Sequence, residues 1–411
     1  MNSRTDVLVI GGGATGTGIA RDLALRDVDV TLVERDGLAS GASGRSHGLL
    51  HSGARYAEAD EDGARECLRE NRILRAIGGE CVRHTRGLFV QLAGDDPTYF
   101  DEKRAACEEI GIPTEVVDGN AIRAELPELN HEVERAMWVP DGVVIPSRLV
   151  AANAADARDH GAEILTHAPV TSITLEEDER GETEIARVSI GGDIDGTIEP
   201  AVVVNATGAY AGQIGEFAGV SIEMRPTRGV MISVEYDGLE PVLNRCRDPD
   251  DGDIIVPHDE EVVLGTTSVP VSDPDDYEQA EWEIEETITE CAKLLPDVSD
   301  RTATRTWWGV RPLYEPDEAT RGGRAISRGS VRLDHAEDGV ENFVSIVGGK
   351  LTTYREMAEM TADLLCEKLG VDAQCLTAEV QLPNANDPAK LDEYVREFDA
   401  QGPTDTDLVT R

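Results

Sequence analysis

The sequence predicts an α/β fold that contains α+β elements, in which a parallel sheet is joined to a second, antiparallel sheet. Three observations predict this fold. Residues 6–10 form an apolar strand that runs into a glycine-rich turn and a helix. Residues 201–205 and 342–347 are two more apolar runs that end at glycine turns, a pattern typical of strands buried in a parallel sheet. Between 222 and 269, short alternating strands are separated by Asp, Gly and Pro turns, which indicates an antiparallel sheet.

The first glycine turn predicts a dinucleotide site. Gly11, Gly13 and Gly16 have the G-x-G-x-x-G spacing, in which the glycines allow a tight turn, approach of backbone amides to a pyrophosphate, and close helix packing. The helix that follows presents free N–H groups and its positive dipole end to the diphosphate. Glu34 ends the next strand, where a carboxylate accepts ribose hydroxyls. The ligand is FAD or NAD; the alternative is a glycine turn without a ligand.

Hydrophobic periodicity places the other elements. A polar loop at 40–48, rich in glycine and serine, is suited to wrap a cofactor. The tail beyond residue 387 is acidic, and its final residues carry no strong signal. We expect helices at 64–77, 97–110, 149–160, 284–295 and 353–369, and strands at 163–166, 170–175, 230–235, 253–256 and 262–266.

Composition limits the environment and the partners. The chain has 411 residues and a formal charge of −43, from 81 acids against 38 bases. Acidic groups in such excess repel one another unless salt screens them, which favours a cytoplasmic protein of an extreme halophile over an ordinary acidic protein. The same negative charge argues against nucleic acid as a partner. The seven cysteines are scattered without a C-x-x-C pair, so we expect a reducing compartment and no metal or iron–sulfur site. We identify neither a signal peptide nor a membrane helix.

A second glycine turn favours FAD over NAD. The apolar strand at 344–347 runs into Gly348, Gly349 and Lys350 and then into a helix. A helix N-terminus aimed at the flavin N1/C2 region stabilises the anionic reduced ring. The alternative is a strand, turn and helix that only pack against the rest of the fold.

Positive charge is concentrated late in the chain. Seven arginines lie between residues 301 and 332, against three acids. Arginine matches phosphate and carboxylate oxygens in bidentate geometry, so this segment is suited to an anionic substrate, although each arginine could instead pair with an acid. Arg311 and Arg328 stand beside turn residues and are the best candidates.

A second group of candidates follows the cofactor loop. Arg55 and Tyr56 supply a cation and a phenol that can reach the same anion. His47 and His51 are each either a base or an ordinary hydrogen-bonding histidine. We find no pattern of hydrolytic or metal chemistry.

These motifs together resemble a known family. Residues 11–16, 48–56, 244–247, 264–268, 309–312 and 348–355 are similar to FAD-dependent glycerol-3-phosphate dehydrogenases, and most similar to the A subunits of the anaerobic enzyme, over residues 7–382. The resemblance implies a Rossmann-like FAD-binding domain of the D-amino-acid-oxidase/glutathione-reductase type and an antiparallel substrate domain. It also implies oxidation of sn-glycerol 3-phosphate to dihydroxyacetone phosphate by hydride transfer from C2 to FAD N5. Electrons would then pass to a membrane quinone through partner subunits, with the chain peripheral at the inner face of the membrane.

The resemblance also assigns domains and residues. The FAD-binding domain would comprise 1–80, 140–221 and 300–370, the substrate domain 81–139 and 222–299, and a C-terminal extension 371–411. Residues expected at the substrate are Lys350, Arg311, Arg55, Tyr56, Arg328 and His51. Residues expected at FAD are Gly11, Gly13, Ala14, Thr15, Gly16, Glu34, Arg35, Ser43, Ser46, His47, Val170, Thr207, Gly208, Gly348, Gly349, Leu351 and Thr352.

The sequence departs from the family in two places. The family's cysteine-rich C-terminal region, associated with an iron–sulfur centre, does not occur in these 411 residues, so we expect either a truncated chain or a different route of electron exit. Met231 stands where aerobic relatives carry a histidine as a candidate base, so Lys350 and His51 remain as candidates, and we favour Lys350. Two other functions stay open: an amino-acid or 2-hydroxy-acid oxidase or dehydrogenase of the same fold, and a non-catalytic flavin-binding protein of a larger assembly.

Overall fold

A computed structural model describes residues 2–177, 181–248, 252–314 and 329–402. The strands are β1 Asn2–Ile10, β2 Val30–Val33, β3 Leu49–Leu50, β4 Val82–Arg83, β5 Gly87–Leu92, β6 Glu115–Asp118, β7 Val133–Val139, β8 Gly142–Val144, β9 Glu163–Leu165, β10 Val170–Glu177, β11 Thr183–Ile190, β12 Gly196–Asn205, β13 Thr227–Glu235, β14 Val242–Arg245, β15 Ile254–His258, β16 Glu261–Gly265, β17 Val269–Pro270, β18 Ala303–Arg311, β19 Ser330–Asp334 and β20 Phe343–Gly348. The helices are α1 Ala14–Leu25, α2 Glu61–Ile77, α3 Pro97–Ile110, α4 Gly119–Glu125, α5 Pro146–Asp159, α6 Ala211–Phe217, α7 Glu281–Ala292, α8 Tyr354–Leu369 and α9 Pro388–Glu397.

The first sheet brings the predicted glycine turns to one edge. Its order is β10-β11-β12-β1-β2-β9, and β20 lies beside β12 with β19 on its other side. β1 runs parallel to β2 and to β12, and β12 runs parallel to β20. Ile10 is paired with Val33 on one side and with Asn205 on the other. The turns that follow β1, β12 and β20 therefore meet at the carboxyl edge of the sheet, where ligands of such sheets bind.

The second sheet is mostly antiparallel. Its order is β17-β13-β16-β15-β14-β5-β7-β6, with β18 paired to β13. The strands predicted at 230–235, 253–256 and 262–266 are confirmed with small shifts of their ends. Strands β5, β6, β7 and β18 were not predicted. The division into domains stays a prediction, but β18, which it assigned to the cofactor domain, pairs in this second sheet.

Helices cover the first sheet and extend its core. The helix α1 is almost entirely buried, and it contacts both α5 and α8. The predicted helices α2, α3, α5, α7 and α8 are confirmed. The helix α9 was not predicted; it packs on α5 and buries Leu391, Tyr394 and Val395 in the same core. Within the described residues, no helix has the length and apolar character needed to cross a bilayer.

Candidate active site

The first glycine turn has no space for side chains. The backbone at Gly11 has φ +111°, a conformation that L side chains rarely adopt, and a Cβ there would lie 2.6 Å from the Ala206 carbonyl oxygen. A Cβ at Gly16 would lie 1.9 Å from the Gly11 carbonyl oxygen. The absent side chains let α1 begin directly against β1, which places the positive end of the helix dipole at the turn. These observations fit a pyrophosphate held at this turn.

The Glu34 side chain lies beside the first glycine turn. Its carboxylate accepts a hydrogen bond from the Gly12 N–H at 2.6 Å and one from the Asp36 N–H at 3.1 Å. Burial raises the pKa of Glu34, while these two backbone hydrogen bonds oppose that rise. The carboxylate is therefore held in place beside the turn, where the predicted contact with ribose hydroxyls would form.

A cavity of about 800 Å³ follows the carboxyl edge of the first sheet. Its volume suits an elongated cofactor, since ligand pockets usually measure about 300–1,000 Å³. Most of the residues predicted at FAD line it: Gly11, Gly13, Ala14, Thr15, Glu34, Arg35, Ser43, Val170, Thr207, Gly208 and Gly348. The structure therefore brings together the two glycine turns, the end of β12 and the loop at 40–48, as the sequence predicted.

Six other residues predicted at FAD do not line this cavity. Gly16 packs α1, Ser46 donates a hydrogen bond to the Ser43 carbonyl at 3.0 Å, and His47 Nδ1 accepts one from the Leu49 N–H at 3.2 Å. The other three, Gly349, Leu351 and Thr352, belong to the second glycine turn and the helical turn that follows it. Direct contact of these six residues with FAD stays a prediction.

An ionic clasp lies at the rim of this cavity, and sequence reasoning missed it. The guanidinium of Arg35 donates two hydrogen bonds to the Asp275 carboxylate, at 3.0 and 3.2 Å, and lies 4.1 Å from the centre of the Tyr210 ring. The Tyr210 hydroxyl donates to the same carboxylate at 2.7 Å. These hydrogen bonds, with that from Arg35 the larger, hold the pKa of Asp275 below its usual range. All three side chains line the cavity, so the clasp joins the end of β2 to the loop before α7.

The second glycine turn positions Lys350. Gly348 and Gly349 have φ +76° and +78°, so the chain turns there in a conformation that favours glycine. The Lys350 N–H then donates to the Thr353 hydroxyl at 3.2 Å, which caps the short helical turn before α8. The predicted strand, turn and helix are confirmed.

Three of the residues predicted at the substrate meet beside this turn. The Lys350 ammonium lies 4.6 Å from the centre of the Tyr56 ring and 3.9 Å from the Asp60 carboxylate, with only 4% of its side chain exposed. The Tyr56 hydroxyl is 3.3 Å from His51 Nε2. The His51 N–H donates to the Thr352 hydroxyl at 3.0 Å, which ties the motif at 48–56 to the second glycine turn. The cluster combines a cation, a phenol and an imidazole.

Arg55 lies next to this cluster but has a partner of its own. Its guanidinium donates to the Asp253 carboxylate at 2.7 Å and to the Asn244 side-chain oxygen at 3.3 Å. Burial is the largest influence on Arg55 and lowers its pKa, but the charge and hydrogen bond of Asp253, together with Tyr56 and Tyr99, outweigh burial and the net direction is upward. Because buried Asp253 offsets the charge, neutralisation of a phosphate by Arg55 stays a prediction. Asn244 belongs to the motif at 244–247, which was a signal for this contact.

Arg311 is held by backbone oxygens at the end of β18. Its guanidinium donates to the carbonyls of Arg228 at 3.3 Å and Thr267 at 2.9 Å, and to the Thr266 hydroxyl at 3.0 Å. Its neighbours Val310 and Pro312 line the same cavity as Gly348. Arg311 is therefore fixed beside the cofactor cavity. Arg328, the other arginine favoured from the sequence, lies outside the described residues.

Comparison with known proteins shows the family. Residues 6–364 match the model of the FAD dependent oxidoreductase family, DAO. The chain is 49% identical to the A1 subunit of the anaerobic glycerol-3-phosphate dehydrogenase of Haloferax volcanii, over 98% of this chain and 70% of that protein. The chain belongs to the anaerobic glycerol-3-phosphate dehydrogenase A-subunit family. The corresponding protein of Escherichia coli K12 is 44% identical over 94% of this chain and 71% of its own length. The resemblance stated from the sequence is confirmed.

Solved structures confirm the fold class. The L-α-glycerophosphate oxidase of Mycoplasma pneumoniae, with FAD bound, superimposes with a TM-score of 0.74 at 19% identity, over 92% of this chain and 99% of that one. The glycerol-3-phosphate dehydrogenase of Bacillus halodurans, complexed with FAD, gives 0.69 at 23% identity, over 96% and 72%. FAD is the cofactor of this chain because residues 6–364 match the FAD dependent oxidoreductase family, and the second glycine turn favoured FAD over NAD.

Proposed function

We propose that this chain oxidises sn-glycerol 3-phosphate to dihydroxyacetone phosphate, with FAD bound in the cavity and the substrate bound at the Lys350 cluster. The chain is an FAD-dependent glycerol-3-phosphate dehydrogenase of the anaerobic A-subunit type. The observation that carries the proposal is the position of Arg311 and Lys350, which extend from segments that line one cavity. FAD, when bound, supplies a two-electron acceptor, and the residues of the chain orient the substrate beside it.

We assign the substrate phosphate to Arg311. A guanidinium can donate two parallel hydrogen bonds to phosphate oxygens. Oxygen acceptors of Arg228, Thr266 and Thr267 hold the Arg311 guanidinium in place before the substrate binds. Arg55 and Arg328 complete the anion site in this proposal. Preorganised donors of this kind reduce the ordering cost of binding.

We assign removal of the proton from the C2 hydroxyl to Lys350. Its side chain is 4% exposed and its ammonium lies 4.6 Å from the centre of the Tyr56 ring, two residues after Gly348, which lines the cavity; this position supports a role close to the flavin. One observation favours His51 as a second candidate: its Nε2 lies 3.3 Å from the Tyr56 hydroxyl, which gives a proton a path through the phenol.

Replacing Arg311 by alanine tests the phosphate assignment. The variant should bind FAD normally but lose about 2–5 kcal/mol of substrate binding, because truncating one partner of a buried charge pair leaves the other unpaired. Arg301→Ala is the matched control, since Arg301 is exposed and lies over the Tyr236 ring. Equal KM values for the two variants would contradict the assignment.

A second pair of variants identifies the base. Lys350→Arg keeps the positive charge but resists deprotonation, so flavin reduction in a stopped-flow experiment should slow by roughly 10²–10⁴-fold while substrate still binds. If this variant reduces its flavin at the normal rate and His51→Ala does not, the base is His51.

The names of the relatives, which describe one component of a larger enzyme, support a multi-subunit assembly. We propose that partner subunits carry electrons onward to a membrane quinone, with this chain peripheral to the membrane. The isolated chain should then be reduced by glycerol 3-phosphate but be reoxidised slowly by a quinone. Rapid reoxidation of the isolated chain would contradict this arrangement.

A further inference from the structure

A buried carboxylate that does not line the cofactor cavity contacts two of the residues that hold Arg311. Glu283, in the first turn of α7, has no exposed surface, and it forms an ion pair with Arg228, whose Nε lies 2.9 Å from the carboxylate. The same carboxylate accepts hydrogen bonds from the Thr267 hydroxyl at 2.7 Å and from the Trp308 indole at 3.3 Å. One side chain thus connects β13, the loop after β16, and β18.

These three elements are the ones that supply and hold Arg311. The carbonyls of Arg228 and Thr267 accept hydrogen bonds from the Arg311 guanidinium, and Trp308 precedes Arg311 by three residues on β18. The Thr267 hydroxyl also accepts from the Val230 N–H at 3.0 Å, which ties the loop to β13. Glu283 contacts the side chains of residues whose backbones orient the arginine.

We infer that Glu283 is a positioning residue for substrate binding, which acts through Thr267 and Arg228 to fix the Arg311 guanidinium in the orientation that accepts an anionic substrate. The inference rests on the proposed role of Arg311 as the phosphate ligand. A buried carboxylate that accepts three hydrogen bonds restricts the donors it holds, and their backbones therefore present fixed oxygens to the guanidinium. Without Glu283, the Arg228 side chain loses its charged partner and the Thr267 loop loses one of its two hydroxyl contacts.

The experiment separates this role from a purely structural one by using Thr267. The variant T267V removes the hydroxyl that connects the loop to Glu283, while the Arg228–Glu283 ion pair remains, and T267S restores the hydroxyl. We expect T267V to raise KM for glycerol 3-phosphate about tenfold with kcat changed less than about threefold, because a group that binds substrate away from the reacting carbon contributes uniform binding. T267S should return KM to the wild-type value.

A direct variant and a buried control complete the design. E283Q keeps the shape of the side chain but removes its charge, and it should raise KM at least as much as T267V. The control D156N breaks another buried ion pair, that of Arg21 and Asp156, which lies between α1 and α5. D156N should lower the melting temperature without raising KM. Calorimetry with inorganic phosphate on the FAD-loaded protein should show weaker binding in T267V than in T267S.

The outcomes are distinguishable. If T267V and T267S have the same KM and the same affinity for phosphate, Glu283 does not act on Arg311 and the inference is wrong, whether or not E283Q folds. An increase of KM in D156N as large as that in E283Q would also overturn it, since general loosening would then explain the effect. Failure of the wild-type protein to be reduced by glycerol 3-phosphate would instead overturn the proposed function.

Discussion

Replacing Gly16 by alanine should weaken FAD binding through a single steric contact. The new Cβ would lie 1.9 Å from the Gly11 carbonyl oxygen, whereas real Cβ contacts are essentially never shorter than 3.0 Å. The start of α1 must therefore move by about 1 Å relative to β1, since the neighbour is backbone and cannot rotate away. Burial of α1 on both sides, by α5 and α8, leaves little room for that movement.

The size of the effect follows from this displacement. Forcing extra volume into a packed site costs about 1–3 kcal/mol or more of folding free energy. A shift of about 1 Å also breaks at least one hydrogen bond from the turn to the charged pyrophosphate, and such bonds contribute about 1.5–3 kcal/mol each. The dissociation constant of FAD should rise roughly 10–100-fold, which titration of the apoprotein by flavin fluorescence measures.

Gly18→Ala is the matched control for this variant. It adds the same methyl group to the same helix, but that Cβ would lie 3.1 Å from the side chains of Ala358 and Tyr354, so a shift of only a few tenths of an ångström is needed. Gly18→Ala should bind FAD like the wild type. The reasoning fails if Gly16→Ala binds FAD with unchanged affinity, or if both variants lose FAD equally.

Three further predictions follow from the site and the charge of the chain. Asp275→Asn opens the clasp with Arg35 and should speed FAD release several-fold in a fluorescence dilution assay. The control Asp276→Asn, at an exposed position, should leave the rate of FAD release unchanged. Burial lowers the pKa of His258 from 6.5 to about 4. Below pH 6.5 the unfolded chain therefore binds more protons than the folded chain, and up to about 3 kcal/mol of the free energy of unfolding is lost as pH falls from about 6.5 towards 4. His258→Gln, which can still donate to the His47 carbonyl, should flatten that part of a plot of melting temperature against pH. Folding followed by circular dichroism should require molar KCl, where the Debye length is about 3 Å, and full stability at low salt would exclude the halophile interpretation of the charge of −43.

Local patterns were sufficient for the cofactor half of the site. Both glycine turns follow strands that are buried on two faces, so apolar runs that end in glycine identified them, and the parallel pairing of β1, β2, β12 and β20 brings them together. The short motif at 48–56 also supplied His51 and Tyr56 as candidates for the substrate site, and the structure places their side chains 3.3 Å apart.

Contacts between distant segments could not be predicted in this way. Arg55 pairs with Asp253 and Arg35 with Asp275, and nothing in the local sequence identifies either partner among 81 acids. Strand β5 was missed because all six of its residues are buried, so it lacks the alternation that marks a half-exposed strand. Helix α9 was missed because it is short and buries only Leu391, Tyr394 and Val395 among charged residues, so the acidic character of the segment was the signal noticed.

An anaerobic titration with sn-glycerol 3-phosphate, followed by flavin absorbance, tests the central claim most directly. The protein should carry one FAD per chain, and the substrate should bleach the flavin band, with recovery of dihydroxyacetone phosphate in equal amount. Amino acids and 2-hydroxy acids, which present a carboxylate instead of a phosphate, should leave the band unchanged. Bleaching by one of those acids and not by glycerol 3-phosphate would contradict the account, and a flavin that no anionic substrate reduces would indicate a non-catalytic flavin-binding protein.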